Sequence, residues 1–353
     1  MQYGFFLGAN SKHGFHSLYD DLINLDRANS VYIIKGSPGC GKSSFMRRIK
    51  GKLEENGLKV EQIFCSSDPD SLDGIVIDSL GVAFVDGTSP HVVEPKFPIA
   101  VEKYINLGDF ADTSAISQKK SDIITITKKY RESYGRVYTL LGAAGAVESE
   151  LFDIALGGIN VSRLRKKAAG IVSREIRTKG NGGEVRRRFL SAISPKGCIT
   201  LFDTVRALAE RIFVLEDNFG LGMFLLQPIA DAAKQHGFDT YLAYSPLMPE
   251  RLEHVIIPEL SLAFVTSKKL APFEGEYARK VRIDAMIDAS LLREKKKKLA
   301  FSKKLCRVVL DEACSAMRDA KLIHDDIELL YNPHINFEGV YSLADEIADA
   351  LIE

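Results

Sequence analysis

The stretch Val31 to Ile49, VYIIKGSPGCGKSSFMRRI, decides how the rest of the chain is read. It joins an apolar β-type run, Val31-Tyr32-Ile33-Ile34, to a glycine-rich turn and then to apolar residues at helical spacing, Phe45, Met46, Ile49 and Leu53. The turn, Gly36-Ser37-Pro38-Gly39-Cys40-Gly41-Lys42-Ser43, has the spacing G-x-x-x-x-G-K-[ST]. A polyphosphate is held by several backbone N–H groups converging on it, and side chains would block that approach. Gly36, Gly39 and Gly41 keep the backbone bare and permit positive φ. A helix opening near Lys42 adds its unpaired amides and the positive end of its dipole. Residues Gly36, Ser37, Pro38, Gly39, Cys40, Gly41, Lys42, Ser43 and Ser44 are therefore expected to cradle phosphate, with Lys42 reaching the β- and γ-phosphates and the Ser43 hydroxyl ligating Mg²⁺.

These residues resemble the signature of P-loop NTPases. The resemblance implies a parallel α/β sheet, a bound nucleotide (ATP, with GTP open) and Mg²⁺. A partner acid is expected at the end of a second apolar strand, because ligands of open α/β sheets gather at the carboxyl ends of strands. Val82-Ala83-Phe84-Val85-Asp86 supplies one, and Asp86 would hold Mg²⁺ directly or through water.

Outward from this stretch the composition is that of ordinary globular protein. The chain has 353 residues, enough for two domains, with 46% hydrophobic and 27% charged residues. Its 47 basic and 47 acidic residues cancel, so no global field favours nucleic acid or a membrane. Five widely spaced cysteines without a C-x-x-C read as reduced thiols of a cytoplasmic protein. The opening MQYGFFLGANSK lacks a basic n-region, and no run is long and apolar enough to span a bilayer, so neither secretion nor a membrane is expected.

The chain then repeats itself. A shift of 183 aligns Phe6–Asp20 with Phe189–Asp203, with seven of fifteen pairs identical. A shift of 180 aligns Leu72–Val85 with Leu252–Val265, with six of fourteen identical, and Ile159-Asn160 falls on Ile335-Asn336 at a shift of 176. Matches in one order with small drift indicate a tandem duplication. The segment Thr178 to Gly183 reads as the linker, dividing the chain into 1–178 and 184–353. Gly4 to Leu25 reads as an apolar lead-in, a turn and an amphipathic helix, and Ser114 to Arg177 as long antiparallel helices broken at Gly157-Gly158. The second copy has lost the chemistry. Gly220 and Gly222 match Gly39 and Gly41, but Lys42 falls on Met223, Ser43 on Phe224 and Asp86 on Thr266, while Glu216 and Asp217 would repel phosphate.

Other candidates are weighed against plainer roles. Asp68, Asp70, Asp73, His91 and Glu94 follow strands that lead to the loop. Asp68 or His91 is favoured for orienting water or an acceptor hydroxyl, whereas Asp73, whose counterpart is the acid Glu253, reads as structural. Asn10, Ser11 and Lys12 form a polar turn that could touch base or ribose, or merely cap a helix. Arg186, Arg187 and Arg188 would include an arginine finger or form a sheet-edge run. The basic runs Lys295–Lys298 and Arg163–Lys167 lack interleaved aromatics and read as solvated helix faces, not as a nucleic-acid surface.

Across nearly its whole length the chain also resembles a group of bacterial tandem P-loop ATPase-like proteins, through FFLGANSKHGF at 5–15, GSPGCGKSS, CSSDPDSLDG at 65–74, FVDGTSPHVVEP at 84–95 and RRFLSAISPKG at 187–197. That resemblance implies ATP binding and hydrolysis. Such proteins can keep a P-loop in both halves, and this sequence departs from that in its second. The expected fold is α/β, a P-loop-type parallel sheet with flanking helices, tandemly duplicated, each copy with a helical hairpin. The expected function is a Mg²⁺-dependent ATPase with one active site. The alternatives are a small-molecule kinase with its acceptor near 65–74, and a nucleotide-regulated module that engages a protein partner.

Overall fold

In the computed structural model, which describes residues 3–353, the chain folds as two similar α/β halves. The first begins with β1 (Tyr3–Phe6) and a hairpin of β2 (Gly8–Ser11) and β3 (Gly14–Ser17). It continues through β4 (Ser30–Lys35), α1 (Lys42–Glu55), β5 (Glu61–Phe64), β6 (Leu72–Ile77), β7 (Val82–Asp86) and β8 (Glu102–Asn106), and closes with α2 (Thr113–Gln118), α3 (Lys120–Leu156) and α4 (Val161–Glu175). The second half has β9 (Val185–Arg188), the hairpin β10 (Ser191–Ser194) and β11 (Gly197–Thr200), α5 (Phe202–Leu208), β12 (Arg211–Glu216), α6 (Met223–Gln235) and β13 (Thr240–Tyr244). After these come β14 (Leu252–Ile257), β15 (Leu262–Ser267), β16 (Arg279–Arg282), α7 (Ala289–Glu294), α8 (Lys296–Tyr331) and α9 (Phe337–Ile352).

The first sheet runs β1-β5-β6-β7-β4-β8 and the second β9-β13-β14-β15-β12-β16, the same order position for position. Both are mixed, which corrects the expectation of a parallel sheet. β4 is parallel to β7 and β8, but β6 runs antiparallel to both β5 and β7. Its sequence, LDGIVI, is buried on both faces and shows no alternation, so periodicity does not reveal it. Gly74 is needed there, because a Cβ would lie 2.9 Å from the Phe84 carbonyl of the neighbouring strand.

Residues 4–25 also depart from expectation. They form β1, a hairpin and one short 3₁₀ turn at Tyr19–Asp21, not an amphipathic helix. Gly8 and Gly14 sit at the two ends of the hairpin pairing, and Gly14 takes φ +102°. Asn10 and Ser11 are fully buried in it. Asn10 donates to the Ile193 carbonyl and Lys12 pairs with Glu250, so this turn faces the other half.

The helices are exchanged between halves, which replaces the expected hairpin within each copy. α3 packs antiparallel along α8, with Tyr130 against His324 near one end and Ser302 bonded to Glu150 near the other. α4 lies on α6, contributing Leu164, Ala168 and Ile171 to the second core, while α9 lies on α1, contributing Val340, Ala344 and Ala348 to the first. The crossover points are equivalent: Ala111 bridges Ile335, and Ile159 bridges Ile287. At the centre, Phe6 and Phe189 exchange backbone bonds of 2.9 and 2.8 Å, joining the sheets about a local two-fold axis.

Arg186, Arg187 and Arg188 serve this junction and provide no arginine finger. Arg187 pairs with Asp21 at 2.6 Å, and Arg186 with Asp78 and Glu184. Arg188 is fully buried; it donates to Glu61 at 2.7 Å and to the carbonyls of Asp21 and Leu22, and Tyr241 donates to the other Glu61 oxygen at 3.1 Å. Among the described residues no helix is long and apolar enough to cross a membrane.

Candidate functional site

The loop between β4 and α1 opens at the carboxyl end of β4, which lies between β7 and the edge strand β8. Gly39 and Gly41 take φ of +69° and +88°, conformations that side chains strain against. A Cβ on Gly36 would lie 2.4 Å from the Cys40 sulfur, so the turn closes only on glycine. Cys40 itself is fully buried and burial raises its thiol pKa, which makes it a packing residue and not a nucleophile. Within the loop the Cys40 amide bonds the Ser37 carbonyl, while among the described residues the amides of Gly39, Gly41, Ser43 and Ser44 find no backbone acceptor. Four backbone donors left without backbone acceptors at a helix N-terminus suit an anion.

Lys42 folds back over this cradle. Its ammonium donates to the carbonyls of Gly36 and Ser37 at 3.3 and 3.0 Å and stands 3.7 Å from Asp86 Oδ2. Asp86 ends β7, the immediate neighbour of β4, and its Oδ1 accepts from the Thr88 amide and hydroxyl at 2.8 and 2.6 Å. The Ser43 hydroxyl accepts from the Leu72 amide at 2.9 Å. Ser43 and Asp86 thus stand beside the cradle with oxygens suited to a hard cation such as Mg²⁺.

Next to Asp86 lie Asp73 and His91, both more than nine-tenths buried. Asp73 accepts from the Tyr19 hydroxyl at 2.7 Å, and burial, with Asp86 adding to it, pushes its carboxyl pKa up. His91 stacks on Tyr19 with ring centroids 4.7 Å apart, and its Nε2 is 3.6 Å from Asp73 Oδ2. Asp73 therefore belongs to the site, although the acid at its counterpart Glu253 argues for a structural role. Asp68 stands further out, held by Ser71 at 3.0 Å and Lys321 at 3.4 Å. Asp70 pairs with Lys196 of the second half, and Glu94 with Lys35 and Tyr104 at the surface.

A cavity of about 970 Å³ joins these groups, at the upper end of small-molecule pockets. Its floor is the loop with segments 65–73 and 86–91, and its roof is α3 and α8. From α3 come Tyr130, Tyr134 and Tyr138, one helical turn apart with successive ring centroids 5.3 and 5.7 Å apart. From the other half come Lys321, His324 and Glu328 of α8, Asn332 just beyond its end, and Phe337 and Tyr341 of α9. Asn332 presses on the loop so closely that a Cβ on Gly39 would lie 2.4 Å from its Oδ1, a buried oxygen without a hydrogen-bond partner. Sequence periodicity places none of these roof residues, because the exchange of helices brings them in.

The equivalent loop of the second half is filled by its own side chain. Asp217, at the position of Gly36, accepts from the amides of Phe219 and Leu221 at 3.1 Å each and from Gly222 at 2.6 Å. Burial raises the pKa of this carboxyl, and the amide bonds oppose the rise. The expectation that Asp217 guards the loop entrance gives way to a plainer finding, since it occupies the cradle. Thr266, at the position of Asp86, donates to the Glu253 carbonyl. Beside it Lys268 pairs with Glu253; burial raises the Glu253 carboxyl pKa, but the Lys268 ammonium outweighs it and leaves the pKa lowered.

No family model matches the chain, and no similar protein is found among curated proteins or solved structures.

Proposed function

We propose that the first half binds a nucleoside triphosphate with Mg²⁺ and hydrolyses it, and that the two halves arose by duplication with loss of the second site. One contrast carries the reading. Of two equivalent glycine turns, one directs free amides, a lysine and a strand-end aspartate at an open cavity, while the other satisfies its amides with a carboxylate of its own. The amides of residues 39–44 would hold the β- and γ-phosphates, and Lys42 would stabilise charge on the transferring phosphoryl group. Ser43 and Asp86 would hold Mg²⁺, which supplies Lewis-acid neutralisation of the phosphate oxygens. His91 or Asp68 would orient the attacking oxygen. ATP is favoured over GTP by the resemblance alone.

The size of the cavity favours a second reading, phosphoryl transfer to a small hydroxyl compound held under the Tyr130, Tyr134 and Tyr138 wall. Phosphate release from ATP and GTP with Mg²⁺ separates the two, with and without added acceptors. Lys42→Ala should lower turnover by roughly 10²–10³-fold, the loss typical of removing one donor to transition-state charge. Turnover undiminished in that variant would overturn the assignment.

A further inference from the structure

Asp73, Asp86 and His91 bring one ligand atom each to within 4.8 Å of one another, and all three residues are buried. Two buried carboxylates at this spacing repel each other. Among the described residues the only lysine or arginine paired with either is Lys42, 3.7 Å from Asp86. His91 is only 7% exposed, its Nδ1 has no hydrogen-bond partner, and its Nε2 points at Asp73 from 3.6 Å, beyond hydrogen-bond reach. An imidazole held by stacking on Tyr19 and turned toward two carboxylates without bonding either is arranged as a ligand.

We propose that Asp73, Asp86 and His91 form a binding site for a divalent first-row transition cation that is preformed without nucleotide. With bonds of about 2.1–2.2 Å, neighbouring donors on one ion lie about 3.0–3.6 Å apart and only a pair facing across it about 4.2–4.4 Å, so the 3.6 Å between His91 and Asp73 suits a shared ion and modest side-chain movements close the set. The imidazole nitrogen selects Mn²⁺, Fe²⁺ or Zn²⁺ over Mg²⁺, which keeps to oxygen ligands. Tyr19 and Thr88, which donate to Asp73 and Asp86, fix the carboxylates as outer partners do in metal sites. The site shares Asp86 with the proposed Mg²⁺ position, yet it does not depend on nucleotide binding.

The test is titration of the full chain with Mn²⁺ in the absence of nucleotide, read by loss of the six-line resonance of free aqueous Mn²⁺. One equivalent should bind, and a tenfold excess of Mg²⁺ should leave it bound. His91→Ala, His91→Gln and Asp73→Asn should each weaken binding at least tenfold, with thermal melting confirming that the variants fold. Lys42→Ala should retain binding even where it abolishes nucleotide turnover, which separates this site from the nucleotide assignment. No Mn²⁺ uptake by the wild-type chain, displacement by Mg²⁺, or equal affinity in the folded His91 and Asp73 variants would overturn the proposal. So would loss of binding in His324→Ala alone, which would place the ion at His324, Asp325 and Glu328 instead.

Discussion

Asp217 shows how one side chain decides the state of a loop. Three amides converge on its carboxylate as the amides of a phosphate cradle converge on an anion. Asp217→Ala leaves those donors buried and unpaired, which should cost about 2–4 kcal/mol. Inorganic phosphate, but not chloride at equal ionic strength, should recover part of the lost melting temperature; no recovery would mean that the cradle collapses without its carboxylate. His254, on β14 two strands away from β12, sets a pH limit on the same half. It is fully enclosed, accepts from the Thr266 amide at 3.1 Å, and burial holds its pKa down at about 4 against an ordinary 6.5. Between those values the unfolded chain takes up a proton that the folded chain refuses, so acid favours unfolding. Stability should fall by about 1.4 kcal/mol per pH unit as pH drops from about 6 to about 4. Denaturant melts of wild type and His254→Gln across that range check it, the variant losing this part of the slope.

At the scale of elements, α8 is the unexpected participant. It belongs to the second half by sequence, yet its last turn overlies the loop of the first, with Glu328, and Asn332 just past the helix end, against Gly39. A helix that touches the glycine loop and packs along α3 for most of its length would register a ligand bound at that loop. Asn332→Asp places a carboxylate beside the loop and should weaken binding of Mg²⁺–ATPγS at least tenfold by calorimetry, with a smaller effect on ADP. Equal affinities would show that the α8 end is only a lid. β6 makes a different point. Buried on both faces, it carries no amphipathic period, and its antiparallel direction follows from the short 3₁₀ turn at Asp78–Leu80 that joins it to β7.

For the whole molecule, the junction of the halves is polar at its most buried point. Arg188 and Glu61 face each other with no exposed surface, the other Glu61 oxygen is taken by Tyr241, and Arg188 also spans to the Asp21 and Leu22 carbonyls where the 3₁₀ turn ends. Arg188→Met strands a buried carboxylate and should cost about 3–5 kcal/mol, whereas adding Glu61→Gln should recover a good part of it. A double variant no more stable than the single would place the loss in packing instead. Because α4 and α9 complete each other's cores, cutting the chain at the linker would remove a helix from each half. Unfolding should accordingly be a single transition by both calorimetry and circular dichroism; two separate transitions would show the halves to be independent.

The sequence by itself determined the loop, its lysine and serine, the acid at the end of β7 and the doubling of the pattern. Each of these is local chemistry: glycine where φ is positive, a β-branched run before it, a helix period after it, or a recurrence at fixed offset. Tertiary structure alone decided the mixed direction of the sheets, the crossing of α4 and α9 between halves, the tyrosine and α8 roof over the loop, and the company of Asp73 and His91. Those depend on contacts between residues far apart in the chain, which no periodicity records. Asp217 marks the boundary between the two. Its identity and its equivalence to Gly36 are legible in sequence, but whether a carboxylate there repels an anion or replaces one depends on where the backbone amides point.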